Sequence, residues 1–504
     1  MQSEIVKDIV ILGGGTAGWM TAAALSRALN GKVALTVVES DEIGTIGVGE
    51  ATIPSIVRFN ALLELDENEF IRETQGTFKL GIEFVNWTSL GDRYMHGFGR
   101  FPPDIQLTSF EQVWQAMHQR GRARELAAYS ITKRAAYAGR FMRPRLDLPD
   151  SPLANIAYAF HFDASLYARY LRRYAERRGV VRIEGKVEQV ERHENGDLKA
   201  LVLASGPRVE GSFFVDCTGF RGRLIEDELH AGYDDWSHWL PCDRAVAVPS
   251  ASTRPFTPYT RATAREAGWQ WRIPLQHRTG NGHVYASRWI SDDEAAATLL
   301  ANLDGQALAE PRLLRFKPGV RKRAWVRNCV AIGLAGGFLE PLESTSIHLI
   351  QSGVSRLLNF FPATTPSEPD IDEFNRLHRR EFDHVRDFII LHYHATQRDD
   401  APLWRYTRAM SIPDSLLYKM TLYQSQGRLF SEADELFAQG SWAQVMQGQG
   451  LRPRGYNAIV DVVGADDIAA FMESIRTAID ACVERMPTHE EFIARNCKAP
   501  SIAS

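Results

Sequence analysis

The sequence predicts an α/β fold that begins with a βαβ unit and ends in a mostly helical part. Two short apolar runs, residues 8–12 and 33–38, have the length of buried strands and flank an alanine-rich helical stretch at 16–29. A glycine-rich turn separates the first run from that stretch. Farther along, residues 371–394 and 466–485 carry apolar side chains at helical spacing, which indicates long amphipathic helices.

The bulk composition indicates a globular protein that acts on a small molecule. The chain has 504 residues, so two or three substructures are expected, and its formal net charge of −4 favours neither nucleic acid nor an anionic membrane as a partner. No apolar run is long enough for a transmembrane helix. The five cysteines lack CxxC spacing, which argues against a zinc site or a disulfide framework. We therefore expect a cytoplasmic protein without a metal site.

The middle of the chain mixes helical, strand-like and loop segments. Residues 64–74 and 165–178 have a helical pattern, residues 91–103 are rich in loop formers, and residues 230–300 indicate sheet and loops. Strand-like runs at 198–204, 213–215 and 330–334 follow. Asp163 or Ser165 is placed to cap the helix that begins there, and the basic run 321–323 is most simply a solvated patch.

The glycine turn has the spacing of a dinucleotide-binding motif. Gly13, Gly15 and Gly18 fit GxGxxG: the first allows a tight turn, the second a close approach to a diphosphate, and the third close packing of helix on strand. The start of the helix, Thr16-Ala17, offers its amides and partial positive charge to the phosphates. Glu39, at the end of the second strand, is placed to accept hydrogen bonds from a ribose.

Two later segments distinguish FAD from NAD as the dinucleotide. Asp216-Cys217-Thr218-Gly219 follows one strand-like run, and Gly333-Leu334 begins a glycine turn after another. Flavoproteins of the large monooxygenase-like group resemble this arrangement, in which a second strand–turn–helix closes over the flavin. Because no second GxGxxG is present, we expect FAD to arrive in reduced form from a separate flavin reductase.

Four segments, taken together and in their order, resemble the flavin-dependent tryptophan halogenase family over roughly residues 5–430. They are GVGEATIP at 47–54, TFKLG at 77–81, GWQWRIP at 268–274 (which contains WxWxIP) and FLEPLEST at 338–345. The resemblance implies a GxGxxG-type, monooxygenase-like FAD-binding fold with an interleaved sheet module for substrate and a helical C-terminal part. It divides the chain into an FAD-binding and halogenation module at 1–365, with a substrate-facing sheet around 80–130 and 230–300, and a substrate-capping part at 366–504.

The resemblance also implies a reaction and roles for two catalytic residues. Reduced FAD and O2 give a flavin hydroperoxide, which oxidises chloride or bromide to hypohalous acid, and the acid is guided to Lys79. Lys79 either hydrogen-bonds the hypohalous acid or forms a haloamine with it. Glu343 is placed to accept the proton of the ring intermediate or to orient the oxidant. A surface position for Lys79 and a helix-capping role for Glu343 are the structural alternatives.

Further roles follow from the same resemblance. It implies a sandwich around an indole ring, a pair of tryptophans that shield the substrate from the flavin, and a homodimer. Since Trp269 and Trp271 alternate, they face the same side of a strand. The implied residues are Ala51 and Val187 for the cofactor, Thr345 and Ser346 for halide, His96 and Phe98 for the sandwich, and Trp269, Trp271 and Ser344 for the shielded pocket.

Two departures from the family pattern affect specificity. Ser346 stands where family members carry glycine; a side chain there restricts the backbone dihedral φ and reshapes the halide pocket, which predicts a preference for bromide. Residues 432–450 lack the paired tyrosines, Glu and Phe that grip free tryptophan in tryptophan-specific members, so we expect indole or a related compound as substrate. An aromatic monooxygenase and a non-catalytic flavoprotein redox sensor are the alternative functions.

Overall fold

The computed structural model describes residues 6–42, 49–105, 108–362 and 366–501. The chain forms two compact units, each assembled from three stretches of sequence. The first unit comprises Met1–Gly76, Phe162–Asp243 and Arg315–Asp383, and the second comprises Thr77–His161, Arg244–Leu314 and His384–Ser504. The interleaving predicted from the sequence is therefore present; the last boundary between the two units follows Asp383, whereas the sequence-based division was placed at residue 365.

The strands of the described residues are mostly short, with none longer than seven residues. In chain order they are β1 (Asp8–Leu12), β2 (Ala34–Glu39), β3 (Gly49–Ala51), β4 (Thr77–Lys79), β5 (Gly81–Val85), β6 (Arg93–Gly97), β7 (Ala159–Asp163), β8 (Val181–Glu184), β9 (Val187–Arg192), β10 (Leu198–Leu203), β11 (Arg208–Glu210), β12 (Phe213–Asp216), β13 (Tyr233–Asp235), β14 (Arg244–Ser250), β15 (Thr260–Arg265), β16 (Gly268–Pro274), β17 (Thr279–Tyr285), β18 (Arg312–Arg315), β19 (Gly319–Arg321), β20 (Trp325–Val326), β21 (Cys329–Ala331) and β22 (Gly337–Phe338).

The α-helices become longer and more frequent toward the C-terminus. They are α1 (Thr16–Leu29), α2 (Ser55–Leu62), α3 (Glu67–Glu73), α4 (Phe110–Gln119), α5 (Ile131–Tyr137), α6 (Ala164–Glu176), α7 (Asp292–Ala301), α8 (Ser346–Asn359), α9 (Glu368–His394), α10 (Pro402–Ala409), α11 (Asp414–Gln426), α12 (Gln439–Gly448), α13 (Ala465–Arg485) and α14 (His489–Asn496). No helix of the described residues is long and apolar enough to cross a membrane.

The first unit is built on a six-stranded sheet with the order β20-β21-β12-β1-β2-β8. β1 lies at its centre and pairs in parallel with both β2 and β12, while β21 continues the parallel arrangement beside β12. Ile9, Val10 and Ile11 are all buried, as expected for a parallel strand that is covered on both faces. The predicted βαβ unit is confirmed, with β1 and α1 at the predicted bounds.

The second unit is built on a seven-stranded sheet with the order β18-β14-β17-β16-β15-β5-β6. Neighbouring strands are antiparallel from β14 to β15, and β15 and β5 pair in parallel. One face of this sheet is aromatic, and helices from the C-terminal part cover it: Trp87 packs edge-on against Trp404, and His96 against Phe388, at ring distances of 5.5 Å in both cases. Because these helices cover the sheet, they belong to the same unit as the sheet.

Two elements differ from the sequence-based expectation. The segment 91–103, predicted to be loop-rich, contains β6, whose pairing with β5 joins it to the sheet. The segment 230–300, predicted to be sheet and loops, contains α7, which begins with a capping box formed by Ser291 and Glu294. The Ser-x-x-Glu spacing of that box is a recognised helix-start signal and was available in the sequence.

The basic run 321–323 is not a simple solvated patch. Arg321 is buried, donates from Nε to the carbonyl of Ala335 at 3.0 Å, and forms an ion pair with Glu226 at 2.5 Å. A buried arginine needs such partners because an unpaired charge inside the protein is costly. Asp163, in contrast, is the predicted N-cap of α6, since its Oδ1 accepts from the amides of Ser165 and Leu166.

Candidate functional site

The first and third glycines of the GxGxxG turn hold strand and helix together. Gly13 has a φ of +110°, and a Cβ atom there would lie 2.4 Å from the carbonyl oxygen of Cys217. A Cβ atom at Gly18 would lie 1.8 Å from the carbonyl oxygen of Gly13. Both positions therefore exclude any side chain, which is the packing role that the sequence assigned to Gly18.

The second glycine, Gly15, has a different environment. It occupies the N-cap position of α1, no side chain caps the helix there, and no heavy atom lies within 4 Å of the place where its Cβ would be. The first-turn amides of the helix beside Thr16 and Ala17 have no carbonyl partner within the helix, so they can bind an anion. The turn therefore fits the diphosphate of FAD.

The ends of four strands, β1, β2, β12 and β21, meet at this turn. Their backbones are joined by hydrogen bonds from Gly13 N to Val38 O (2.8 Å), from Cys217 N to Leu12 O (2.8 Å) and from Ile332 N to Asp216 O (3.0 Å). Parallel strands end at the same edge of a sheet, and ligands bind at that edge in open α/β sheets. The structure thus brings together the three segments that the sequence singled out for FAD.

The second glycine turn packs directly on the first. Gly333 has a φ of +72°, and a Cβ atom there would lie 2.8 Å from the Cβ of Ala17. Gly333 and Leu334 lie in a short 3-10 turn and are half-buried. The predicted cofactor residues at the two turns therefore line one region of the first unit.

Asp216 has a structural task that the sequence did not indicate. Its carboxylate is buried and accepts four hydrogen bonds, from the amide and hydroxyl of Thr218 through Oδ1 and from the amides of Leu224 and Ile225 through Oδ2. Four donors fill the acceptor capacity of a carboxylate. Asp216 therefore fixes the shape of the loop 217–225, and its predicted contact with the cofactor stays a prediction.

Glu39 lies at the end of β2, as predicted, and is held by cationic side chains. Its Oε1 forms ion pairs with Arg182, on β8, and with Arg172, on α6, at 3.5 Å for the latter. Its Oε2 accepts from the indole of Trp19 at 3.2 Å. A Cβ atom at Gly14 would lie 1.4 Å from this same oxygen. The two arginines come from distant positions in the chain, so the GxGxxG motif did not reveal them.

The segment 340–346 forms a tight turn in front of α8. Pro341–Glu343 is a 3-10 turn, Ser344 has the left-handed φ of 59°, and Thr345 occupies the N-cap position of α8. Glu343, Ser344 and Thr345 are all buried. Since Thr345 holds the N-cap position, the alternative of Glu343 as the helix cap is wrong.

The backbone at Ser346 differs from the sequence-based expectation of a restricted φ. Ser346 is the first residue of α8 and is not among the positive-φ residues, so its side chain imposes no backbone strain; the left-handed residue is Ser344. Thr345 presents a buried Oγ1 that has no hydrogen-bond partner in the part of the chain that the structure describes. A free hydroxyl beside an uncapped helix N-terminus is a suitable anion donor.

In the second unit, Lys79 is the last residue of β4 and is completely buried. Its Nζ lies 5.2 Å from the centre of the Phe98 ring, within the range of a cation–π interaction. The alternative of a surface lysine is therefore wrong. β4 pairs with β7 in the antiparallel register Thr77↔His161 and Lys79↔Ala159.

A buried hydrogen-bond chain supports β4 on one side. The hydroxyl of Thr77 donates to the carbonyl of Pro274 at 2.7 Å, so it accepts from His161 Nδ1 at 3.0 Å; His161 Nε2 then accepts from Thr260 at 2.9 Å. These bonds place a proton on Nδ1, and Nε2 accepts because the buried ring is neutral. Burial, reinforced by the nearby charge of Lys79, lowers the pKa of His161 well below its ordinary value. No catalytic or binding role was predicted for His161 from the sequence.

Trp269 and Trp271 lie on β16, as predicted, with their rings 6.2 Å apart and both buried. A Cβ atom at Gly282 of β17 would lie 2.1 Å from the Trp271 ring, so the indole lies on the bare backbone of that glycine. Trp87 lies 6.4 Å from Trp269 and extends the aromatic face.

His96, Phe388 and Phe437 form an aromatic wall, and only His96 was identified from the sequence. Its ring lies 5.5 Å from Phe388 and 6.1 Å from Phe437, and those two phenyl rings stack at 3.8 Å. Phe98 follows directly after β6, with its amide donating to Leu80 O at 2.9 Å. Phe388 and Phe437 lie 292 and 341 residues beyond His96 in the chain, so no local pattern linked them to it.

The remaining predicted positions are described only in part. Ala51 ends β3 and is buried, and Val187 begins β9 and is half-buried. Gly47 and Val48 of the GVGEATIP segment lie outside the described residues. Among the residues that are described, no group of three or more His, Cys, Asp or Glu side chains could hold a metal ion.

The fold and these two sets of residues define a flavin-dependent halogenase. The model of the tryptophan halogenase family matches residues 8–465, and the chain belongs to that family. It is 36% identical over 485 residues to the tryptophan 6-halogenase ThaL of Streptomyces albogriseolus, covering 89% of this chain and 90% of the relative. It is 36% identical over 442 residues to the tryptophan 7-halogenase RebH of Lentzea aerocolonigenes, covering 83% and 82%.

Solved structures agree with this assignment. Xcc4156, a flavin-dependent halogenase from Xanthomonas campestris, superposes with a TM-score of 0.96 at 50% identity, covering 99% of this chain and all of that one. BrvH, a flavin-dependent halogenase from Brevundimonas sp. BAL3, superposes with a TM-score of 0.93 at 44% identity, covering 97% and 99%. The protein is therefore an enzyme that uses reduced FAD, O2 and a halide to halogenate an aromatic substrate.

Proposed function

We propose that this enzyme halogenates an electron-rich aromatic compound such as indole, and that Lys79 delivers the halogen. The observation that carries the proposal is the burial of Lys79 against the face of Phe98. Lysine side chains are rarely buried completely, and buried ionisable groups cluster at functional sites. The ammonium group of Lys79, next to the Phe98 ring, is suited to hold a small electrophile beside the ring of an aromatic substrate.

The first unit would hold the cofactor. Reduced FAD, when bound, would supply two of the four electrons that O2 takes up, and the halide would supply the other two as it becomes hypohalous acid. The open helix end at Gly15 would bind the diphosphate, and Glu39 would accept from the ribose. The loop shaped by Asp216 and the turn at Gly333 would complete the binding site.

Lys79 would act on the hypohalous acid. As an ammonium it donates a hydrogen bond to the oxygen of the acid and makes the halogen more electrophilic. As a neutral amine it would instead form an N–halogen bond and release water. Either reaction needs the lysine nitrogen to be fixed, because reacting atoms must lie within about 3–3.5 Å of each other in a productive geometry.

The turn before α8 would supply the base and the halide site. We propose that the carboxylate of Glu343 accepts the proton that the ring loses when the halogen has added. The hydroxyl of Thr345 and the first amides of α8 would bind the halide. Ser346 adds a hydroxymethyl group at this helix end, where the family has glycine, and we propose that bromide is preferred to chloride as a consequence.

The aromatic wall supports an indole-like substrate. Phe437, from the segment that differs from tryptophan-specific relatives, stacks on Phe388 and contacts His96. Gln444, from the same segment, donates to Gly97 O at 3.3 Å and accepts from Gly97 N at 3.1 Å, which holds β6 in place. Residues 432–450 thus support the aromatic wall, and we propose that they do not bind the ammonium and carboxylate groups of an amino acid.

A separate flavin reductase would supply the reduced FAD, since the chain carries no second GxGxxG. An aromatic monooxygenase is the competing function; it would hydroxylate the same ring and would not need Lys79. A redox sensor would bind FAD and give no product. Neither alternative explains why Lys79 is buried against the ring of Phe98.

One experiment separates these functions. Purified enzyme is supplied with a flavin reductase, NADH, FAD, O2, equal bromide and chloride, and either indole or tryptophan, and products are identified by mass. We expect bromoindole, with less chloroindole and less halotryptophan. Hydroxyindole alone would establish a monooxygenase, and predominantly chlorinated product or a clear preference for tryptophan would refute the specificity proposed above.

The role of Lys79 is tested with a matched pair of variants. Lys79→Ala should abolish halogenation while FAD still binds, as measured by flavin absorbance after gel filtration. Lys133→Met, at the other buried lysine of the same unit, should keep turnover within about threefold. Glu343→Gln should lower kcat by about 10²–10⁴-fold, the usual contribution of a general base. Full activity in Lys79→Ala would refute the proposed delivery step.

A further inference from the structure

The strand that carries Lys79 is held by a histidine from the C-terminal helix α14. His489 is buried; its Nε2 accepts from the amide of Phe78 at 3.1 Å, and its Nδ1 lies 3.0 Å from the carbonyl oxygen of Phe256. A carbonyl oxygen only accepts, so the proton of the imidazole is on Nδ1, and Nε2 is free to accept from Phe78. Both bonds require the neutral imidazole in one tautomer.

The surroundings of His489 keep its imidazole neutral and pack α14 against Phe78. Burial lowers the pKa of His489 to about 4, and the bond to Phe256 opposes this only in part. Phe492, one turn along α14, packs edge-on against the ring of Phe78 at 5.3 Å, and Phe141 stacks on that ring at 4.1 Å. The helix therefore holds both the backbone and the side chain of the residue next to Lys79.

β4 has three residues, and the contacts divide among them. Thr77 is held by the chain through His161 and Pro274, and Phe78 is held by His489 and Phe492. A three-residue strand has few ladder hydrogen bonds of its own, so these side-chain partners decide where its last residue lies. That residue is Lys79.

We propose that His489 is a positioning residue for Lys79, an inference that rests on the function proposed above. His489 does not need to touch the substrate; it fixes the backbone from which the lysine extends. Loss of the acceptor at Nε2 leaves the Phe78 amide buried without a partner, and β4 shifts to satisfy it. Displacement of a catalytic group by about 1 Å can lower turnover by about 100-fold.

The test compares His489→Leu, which removes both hydrogen bonds, with His489→Gln. A glutamine side chain can accept from Phe78 through its oxygen and donate to Phe256 through its nitrogen. Ile493→Val is the control, since it loosens a buried position of the same helix and leaves the bonds of His489 intact. Each holoenzyme is assayed for halogenated indole and for free hypohalous acid, the latter with a dimedone-type halogen acceptor.

We expect His489→Leu to give at least tenfold less halogenated indole while free hypohalous acid stays within twofold. His489→Gln and Ile493→Val should stay within about threefold of the unsubstituted enzyme in both assays. Hydrogen exchange of the peptide that contains Phe78 should accelerate at least tenfold in the leucine variant only. A purely structural role would lower product and free oxidant in parallel, and that result overturns the proposal.

Two further outcomes are decisive. If His489→Leu does not fold, the glutamine variant still decides: full turnover with protected Phe78 exchange supports the proposal, and tenfold loss with intact folding overturns it. Lys79→Ala separates this inference from the proposed function. If that variant still halogenates, the role of Lys79 fails whatever His489 does; if it is inactive while His489→Leu is fully active, the positioning role alone fails.

Discussion

Replacing Lys133 with methionine should stabilise the second unit, with a dependence on pH that the structure defines. Lys133 lies on α5, and its side chain extends across Gly97, where a Cβ atom would lie 2.5 Å from the lysine Cγ. Burial, which is the single cause, lowers the pKa of Lys133 from 10.5 to about 7. A methionine has a similar length and fills the same space without a charge.

The size of the effect follows from that shift. The unfolded chain binds a proton at Lys133 up to pH 10.5, whereas the folded chain loses it near pH 7, so stability rises with pH through this window. At 1.36 kcal/mol per pKa unit, burying this lysine costs about 4–5 kcal/mol at pH 6.5, where it is mostly charged, and about 2 kcal/mol at pH 9, where folding requires it to give up its proton. The methionine variant should gain these amounts, because it has no proton to lose.

The assay is urea unfolding of both proteins at pH 6.5, 7.5 and 9, followed by tryptophan fluorescence and fitted for the transition of the second unit. Lys498→Met, at an exposed position of the same unit, is the control and should show no pH-dependent gain. A methionine variant that is no more stable than the unsubstituted enzyme, or whose gain is equal at pH 6.5 and pH 9, would refute the reasoning.

Three further predictions concern glycines whose surroundings differ: Gly15, Gly18 and Gly282. Gly15→Ala should leave the Tm of the apoprotein unchanged but weaken FAD binding at least tenfold by flavin titration, because a methyl group there meets only the space assigned to the diphosphate; unchanged FAD affinity would contradict this. Gly18→Ala should instead lower the apoprotein Tm by several degrees, since its methyl group would overlap the carbonyl of Gly13. Gly282→Ala should displace the Trp271 ring and cost about 1–3 kcal/mol, measurable by unfolding and by altered fluorescence; unaltered spectra and stability would refute the packing described.

The nucleotide half of the site was predictable because its signals are local. Gly13, Gly15 and Gly18 lie within six residues, between a strand and a helix that have clear periodicity, and the physical need for each glycine can be stated from the spacing alone. The other strand ends at Asp216 and Gly333 also carried turn signals. The motif did not reveal the side-chain partners of the site residues. Arg172 and Arg182, which form ion pairs with Glu39, are examples.

The second unit was less predictable because its contacts are distant in sequence. β6 was missed since its residues, Arg93–Gly97, lack a clean alternation of polar and apolar side chains, and pairing with β5 decides their structure. Phe388 and Phe437 join His96 only after folding. The burial of Lys79 came from a family resemblance and not from periodicity. α7 is a different case, because its capping box was visible in the sequence.

The bond between His489 and Phe78 also bears on the order in which a newly made chain acquires activity. The two residues are 411 positions apart. At a synthesis rate of about 5–20 residues per second, the lysine-bearing strand would be made about 20–80 s before its histidine acceptor. During that interval the first β-strand, the glycine turn and α1 are already available, whereas Lys79 lacks its anchor. Oxidant delivery would therefore be among the last properties that a nascent molecule gains.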